Sequence, residues 1–388
     1  MSNSNFDKPG LSRRQLLAGM GTVAATTAAA GAAALPAASV TAWDTTYDVL
    51  VAGSGAAGVC AALEARRMGA SVLLLESLSR YGGSSAMSGG VIYAGGGTSL
   101  QRSLKVEDSP EEMYKFLAGA GSVNPPLDKI RLYCEQSVEH FDWLVKQGVP
   151  YGGKLTTAKG LPMGDESLYY AGTEQAWPAR EIARPAARGH VPGIAGMNGG
   201  RKLMEVLLGQ AEQAGVKMLD RMSGERLVTE SDGRVVGMQV RNRWDERTMI
   251  RARRGIVLAC GGFIHNREML KLHAPQLANC STPWGNAGDL GQGINMGISV
   301  GAAALRMNEG FAIAPIYPPE QTIAGILVNG SGQRFVSEES YHGVLGHMIT
   351  YNQGGRAWLI TDQASDFGFV QDNFPLAAQS NSIGSLAE

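Results

Sequence analysis

The sequence has no C-x-x-C and no C-x-x-C-H, so neither a cysteine zinc site nor attached c-type haem is expected. Its cysteines are only four, Cys60, Cys134, Cys260 and Cys280, and they are scattered. Cys60 falls in a helix-like run and Cys260 in an apolar strand, where a thiol behaves as a buried, inert hydrophobe. Excess charge is missing too: the formal net charge is −1, which argues against a nucleic-acid partner. No internal period is visible, which excludes a solenoid or collagen-like chain. Beyond residue 42 no apolar run is long enough to span a bilayer, so no permanent membrane span is expected.

Glycine is plentiful, with 52 residues clustered at sharp turns. The clearest cluster is "VAGSGAAGVCAALEARRMGASVLLLES", residues 51–77. "YDVLVAG" reads as a buried parallel strand, because its apolar run is nearly continuous. Gly53, Gly55 and Gly58 then give G-x-G-x-x-G at the strand-to-helix turn. The first glycine permits the turn, the second lets a pyrophosphate approach, and the third lets helix and strand pack closely. The helix N-terminus presents N–H groups to the anion. Glu76 ends the second strand at roughly the 20-residue spacing of an acid that binds a ribose hydroxyl.

The first 42 residues are expected to lie outside the fold. Ser12-Arg13-Arg14-Gln15-Leu16-Leu17, a mild alanine-rich run and the small residues Val40-Thr41-Ala42 resemble a twin-arginine export signal with its cleavage site. Leu16 replaces the usual phenylalanine. Such a signal implies export to the periplasm or the exterior. Residues 101–150 read as mainly helical, with Ser109 capping "PEEMYKF". Residues 151–200 read as loops, 200–216 as an amphipathic helix, and 217–260 as strands with a turn at Ser231–Gly233. "RGIVLACGGF" reads as a further buried strand, and "GILVNGSGQRFVSEE" as a hairpin turning at Asn329–Gly332.

In order along the chain, "GSGAAG", "ESLSRYGGSSAMSGG", "LACGGFIHN", "GDLGQGINMGISVGA" and "GILVNGSGQRFVSEE" resemble the flavoprotein family of fumarate reductases and 3-ketosteroid dehydrogenases. The resemblance implies an α/β fold: a Rossmann-like FAD-binding domain, with a parallel sheet, helices and an added β-meander, over 45–306. An inserted α+β cap domain for substrate would occupy 307–388. It implies FAD held by Gly53, Ser54, Gly55, Ala57, Gly58, Glu76 and Ser77 at the ADP half. Gly83, Ser84, Ser85, Ser88, Gly89 and Gly90 would follow the pyrophosphate, ribityl chain and flavin. Gly261 and Gly262 would pack where only backbone fits, and Asp289, Gly291 and Gly293 would approach from a second side. Gln292 stands where the family usually has aspartate, which leaves the role of Asp289 open. "RYGGSSAMSGG" lacks the histidine that anchors FAD in succinate-type subunits, so non-covalent FAD is expected.

The branch is read from the residues after "RFV". Fumarate reductases place an arginine there to grip carboxylates; this chain has Tyr341 and His342. A tyrosine suits a neutral ketone, as hydrogen-bond donor or as base. The resemblance therefore points to the ketosteroid branch, especially its 4-ene-forming (5α) members. Such an enzyme removes two hydrogens from adjacent carbons beside a ketone, with a small hydrophobic ketone as substrate and an unassigned electron acceptor. Tyr341 is the first candidate catalytic residue and Tyr317 the second. His342 and His347 read as ordinary polar residues. Tyr169, Tyr170 and Trp177 line a substrate cavity or pack in the core. Two alternatives stay open: an exported reductase of an unsaturated acid, fumarate- or urocanate-like, and a non-catalytic flavin-binding or electron-transfer protein. The family closes its flavin with a second glycine-rich segment, and none follows residue 362. The chain is accordingly expected to be a fragment.

Overall fold

The computed structural model describes residues 33–119, 125–157, 162, 164–280, 282–314, 325–361, 377–380 and 385. A seven-stranded sheet organises the chain. One edge strand is β1 (Leu35–Pro36). The parallel half contains β2 (Thr45–Ala52), β3 (Val72–Leu75) and β8 (Lys217–Leu219). The antiparallel half is the meander β9 (Met222–Thr229), β10 (Val235–Asn242) and β11 (Arg247–Leu258). The order across the sheet is β1-β9-β10-β11-β2-β3-β8. The turn expected near Ser231–Gly233 joins β9 to β10, where Glu230 N–H donates to Arg234 O at 2.9 Å.

β11 belongs to both halves. Its start, Arg247–Arg251, ladders antiparallel with Gly237–Arg241 of β10. Its end, Gly255–Leu258, pairs parallel with Val49–Ala52. The register shifts between Ala252 and Gly255, just before that parallel end. The end of β11 is half-buried rather than the fully buried strand its apolar sequence suggests.

β3 is "VLLL" and all four residues are buried, as expected of a parallel strand covered on both faces. Alternation sorts the side chains. Val51 and Leu74 face the helices Ala56–Arg67 and Gly199–Gln213, with Val59, Ala62, Leu203 and Leu207. Leu50, Leu73 and Leu75 face the meander, with Leu227, Met238 and Val240. Burial of these apolar side chains contributes about 1.5–3 kcal/mol each for the larger ones.

The stretch 151–200, expected as loops, holds three of the four strands of a second sheet. β4 (Ile92–Tyr93), β7 (Gly189–His190), β6 (Leu168–Tyr169) and β5 (Leu155–Thr156) lie in that order, each two residues long. Two residues show no periodicity, so these strands leave no pattern to read. The expected helices are present at Pro110–Gly119 and Leu127–Lys146, and Ser109 Oγ accepts from Glu112 N–H at 3.2 Å as a cap.

The hairpin at "GILVNGSGQRFVSEE" forms only in part. Its turn is there, with Asn329 N–H donating to Gln333 O at 2.9 Å and Gly332 at φ +72°. After one bridge, Val328 to Arg334, the chain leaves. β12 (Ile326–Val328) pairs instead with β13 (Trp358–Ile360). Glu338 explains the departure: its buried carboxylate accepts from Leu327 N–H at 2.8 Å and pairs with Arg334 at 2.5 Å. A side chain thereby satisfies the donor that a longer return strand would have taken.

The packed chain also begins earlier than residue 43. β1 runs parallel to Val228–Thr229 at the outer edge of β9. Among the described residues no helix is long and apolar enough to cross a membrane.

Candidate functional site

The site grows from the turn after β2. Gly53 has φ +104°, and a Cβ there would collide with the Ala259 carbonyl. A Cβ on Gly58 would collide with the Gly53 carbonyl, so helix and turn touch through backbone alone. Gly55 caps the helix Ala56–Arg67, and its own Cβ would meet only Ser85 Oγ at 3.5 Å. The first and third glycines are thus required by protein contacts, and the second leaves an open face at the helix N-terminus. That is the division of labour a pyrophosphate cradle needs.

Glu76 is buried at the end of β3 and knits the turn together. Its Oε2 accepts from Ser54 Oγ at 2.5 Å and Ser54 N–H at 3.3 Å. Its Oε1 accepts from Leu78 N–H at 2.9 Å and Ser77 Oγ at 3.3 Å. Ser54 Oγ in turn accepts from Gly82 N–H at 3.0 Å, which ties the next loop to the same point. Ser54, Glu76 and Ser77 are therefore one network. Ala57 is exposed in the first turn of the helix.

The loop "GGSSAMSGG" forms a short helical turn over Gly83–Met87, entered through Gly82 at φ +111°. Ser85 Oγ accepts from Ala56 N–H at 3.1 Å. Ser88 Oγ donates to Ser85 O at 2.8 Å and accepts from Gly90 N–H at 3.1 Å. Ser84 Oγ donates to Asp289 Oδ2 at 2.5 Å and accepts from Asn286 N–H at 2.7 Å. Gly83 packs over Gly55, which brings the loop across the helix N-terminus.

Asp289 therefore has a clear structural role, clamping Ser84 from the second side. A Cβ on Gly261 (φ +75°) would strike Asp289 Oδ1. Gly291 (φ +81°) caps the helix Gln292–Ser299, and Gly293 packs on Cys260. Gln292 turns away, accepting from Ser223 Oγ at 3.1 Å, so it does not replace the family's aspartate at this contact. Gly262 leaves an open face: a Cβ there would meet no protein atom within 4 Å.

Two members of the constellation are not evident from sequence. Gly199 and Gly200 open a helix, and their Cβ atoms would strike Gly89 O and the carbonyls of Ser85 and Ser88. Gly90, at φ +75°, presses on Gly199 from the other side. The pair "GG" at 199–200 is the only signal, and it reads equally as a helix start.

Behind the loop lies a buried polar group that sequence alone does not assemble. The side chains of Arg188 and Asp108 are fully buried and paired twice, Nε to Oδ2 at 2.9 Å and Nη2 to Oδ1 at 2.7 Å. Burial pushes the Asp108 carboxyl up, but the Arg188 bonds outweigh it and hold it below its ordinary value. Tyr93 Oη donates to Glu174 Oε1 at 2.9 Å, and burial raises the Glu174 carboxyl. His190 Nδ1 lies 2.9 Å from Arg188 O, which can only accept, so Nδ1 carries the proton. Nε2 then accepts from Thr98 Oγ1 at 2.8 Å, and burial depresses this imidazole to about 4.

Tyr341 precedes the helix His342–His347. Its ring is half-buried, 6.1 Å from Phe311 and 4.1 Å from His342 by centroid. Gly343 allows the approach, since a Cβ there would strike Phe311. Burial raises the Tyr341 phenol and lowers the His342 imidazole to about 4, so both are neutral at pH 7. His342 is thus part of an aromatic group rather than an ordinary polar residue. Tyr317 lies outside the described residues. Tyr169 is core, packed on Gly189, and Tyr170 borders the cluster of Ala94, Phe141 and Leu168. Trp177 is 62% exposed and so is no core residue. Cys60 and Cys260 are half-buried, and burial pushes both thiols up to about 11, which leaves them inert. Among the described residues no His, Cys, Asp and Glu group could hold a metal.

The FAD binding domain family matches residues 48–378. The chain is 30% identical over 369 residues to the 3-oxo-5-alpha-steroid 4-dehydrogenase of Comamonas testosteroni, covering 82% of this chain and 68% of that protein. It superposes on the crystal structure of 3-ketosteroid-delta4-(5alpha)-dehydrogenase from Rhodococcus jostii RHA1, in complex with 4-androstene-3,17-dione, with a TM-score of 0.82. There the identity is 42%, covering 86% of this chain and 69% of that one. A flavocytochrome c3 fumarate reductase shares the fold, at a TM-score of 0.62 and 24% identity, covering 91% of this chain and 56% of that one. The glycine turn, the acid at the end of β3 and the loop clamped over the helix N-terminus fit FAD, and this chain belongs to the FAD binding domain family.

Proposed function

We propose that this chain is an FAD-dependent dehydrogenase that removes two hydrogens from adjacent carbons beside the ketone of a 3-ketosteroid-type substrate. The observation that carries the reading is the uncharged group Phe311, Tyr341 and His342. Tyr341 and His342 come directly after "RFVSEES", where a dicarboxylate enzyme would need an arginine. The likeness to ketosteroid dehydrogenases supports the same branch.

FAD, held without a covalent bond, supplies the hydride acceptor. The chain's own groups do the rest. Glu76, Ser54 and the helix N-terminus would hold the dinucleotide half, and the Ser84–Asp289 contact fixes the neighbouring loop. Tyr341, a neutral phenol at pH 7, donates a hydrogen bond to the substrate ketone. That bond stabilises the charge that builds on oxygen as the neighbouring C–H loses its proton. The base that takes this proton is a second group, for which Tyr317 is the candidate. The aromatic faces of Phe311 and His342 offer a surface that favours an apolar ring system over a carboxylate.

The paired arginines Arg13 and Arg14, with the mild alanine-rich run behind them, support export of the folded, flavin-loaded protein by the twin-arginine route. The test of function is a screen with a dye as electron acceptor. Turnover of 3-ketosteroids, with none of fumarate-like acids, is expected; reduction of unsaturated acids by the reduced enzyme, without steroid turnover, would replace this reading with the reductase.

A further inference from the structure

We infer that residues 33–42 belong to the mature, exported protein, and that the leader is cut upstream of them, after Ala30 or Ala32, rather than after Ala42. The inference rests on the export reading and changes where its processing site lies.

The segment is built into the sheet. Leu35 and Pro36 pair parallel with Val228 and Thr229 on the outer edge of β9. Arg226 reaches across to the same segment, its Nε donating to Ala33 O at 2.6 Å and Nη2 to Ala34 O at 3.4 Å. A short turn follows: Val40 N–H donates to Ala37 O at 3.0 Å, and Ser39 Oγ to Pro36 O at 2.7 Å. Pro36 lacks an N–H and so suits an edge strand, where it stops further pairing.

The bond after Ala42 is held on both sides. Val40, two residues before it, is fixed in the turn. Trp43, directly after it, lies against Gly237, where a Cβ would strike its ring, and 6.0 Å from the Arg251 guanidinium. Asp44 is then locked to β11, its N–H donating to Met249 O at 3.0 Å and its Oδ2 accepting from Met249 N–H at 2.7 Å. A peptidase must draw several residues around its scissile bond into an extended form. The twin-arginine route presents a folded substrate, so this stretch would have to be peeled from the sheet first. Ala28, Ala30 and Ala32 supply small residues at the −3 and −1 positions for cuts after Ala30 or Ala32. Cuts there leave the pairing of Leu35 and Pro36 and the turn at Ala37–Val40 intact. The reaction is a hydrolysis. A membrane signal peptidase adds the hydroxyl of water to the alanine carbonyl carbon and its proton to the released amine of Gly31 or Ala33.

The full chain is expressed in a bacterium with twin-arginine export, and the exported protein is read by intact mass and N-terminal sequencing. A mature N-terminus at Gly31 or Ala33 is expected. Ala42→Phe should leave that terminus and the yield unchanged, whereas Ala30→Phe with Ala32→Phe should abolish the termini at Gly31 and Ala33. A mature N-terminus at Trp43 would overturn the inference and leave export standing. Uncleaved protein confined to the cytoplasm would overturn the export reading and this inference with it.

Discussion

Glu76→Gln tests the cofactor cradle most directly, because the geometry separates its two possible duties. Each carboxylate oxygen accepts two bonds: Ser54 Oγ and N–H on Oε2, Leu78 N–H and Ser77 Oγ on Oε1. A glutamine has one acceptor oxygen. Whichever way its amide turns, the NH₂ faces a backbone N–H, of Ser54 or of Leu78. One charge-assisted bond is lost in the turn, and hydrogen bonds to charged groups contribute about 1.5–3 kcal/mol. If Glu76 served only the turn, that loss would fall on the protein with and without FAD alike, and affinity would not change. If it also accepts from a ribose hydroxyl, the FAD dissociation constant rises by about 10- to 150-fold. Two measurements decide. Thermal unfolding of the flavin-free protein reports the turn, and titration of flavin-free protein with FAD, followed by flavin fluorescence, reports the ribose. The expected result is a lower unfolding temperature together with the weaker affinity. A lower unfolding temperature with FAD affinity within about twofold of the parent would remove Glu76 from the cofactor site and leave it as scaffold.

Other substitutions probe other links. Tyr341→Phe removes a hydroxyl alone, and should slow turnover of a 3-keto substrate by about 10²–10³-fold at unchanged flavin content; parent-like turnover in the dye assay would clear Tyr341 of any role. Gly58→Ala sets a methyl against the Gly53 carbonyl and should cost about 1–3 kcal/mol in urea unfolding. Gly209→Ala, inside the helix Gly199–Gln213 with nothing within 4 Å of the new methyl, should instead stabilise by about 0.5–1 kcal/mol. Equal effects would mean that backbone contact is not what Gly58 provides. His190 is buried neutral, with its imidazole depressed from the ordinary 6.5 to about 4. The unfolded chain therefore takes up a proton first as pH falls. Its contribution is complete above about pH 6.5 and is lost progressively down to about pH 4, by about 2–3 kcal/mol at pH 4.5. The loss of stability from pH 7 to 4.5 should be smaller in His190→Gln than in the parent, and an equal loss would refute the assignment.

The parts of the fold that could be read from sequence are those decided by near neighbours. Strand, glycine turn, helix, strand and acid sit within residues 45–77, and the contacts that require glycine at 53 and 58 lie inside that span or at the end of β11. Ser109 and the turn at Ser231–Gly233 were legible for the same reason. What could not be read depends on pairing across long separations. β12 takes Trp358–Ile360 as its partner because Glu338 occupies the nearer edge, a competition settled by one side chain. The two-residue strands of the small sheet carry no period, and they are placed by the Arg188–Asp108 pair and the His190–Thr98 bond rather than by pattern. Gly199 and Gly200 matter only because the loop at 85–90 happens to meet them.

The same distinction accounts for why cofactor and substrate are not equally readable. The cradle is built from backbone: its glycines answer to carbonyls, and its serines and acid answer to N–H groups, so residue type and spacing nearly determine geometry. Even the long-range tie, Ser84 to Asp289 across 205 residues, uses one hydroxyl and one carboxylate at motif positions. The proposed substrate side is built from side chains on separate segments. Phe311 meets Tyr341 only because Gly343 permits it, and His342 joins them through ring contact, not through any motif. Nothing local requires an aromatic at 311, so no spacing rule could have placed it beside the tyrosine. Its ring stacks 6.1 Å from that of Tyr341, whose phenol is raised by burial. A base at that position would need the opposite environment, a nearby cation or a hydrogen-bond donor to the phenolate. Under the proposed function, these surroundings suit Tyr341 to polarising a ketone rather than to abstracting a proton, the two roles open to it from sequence.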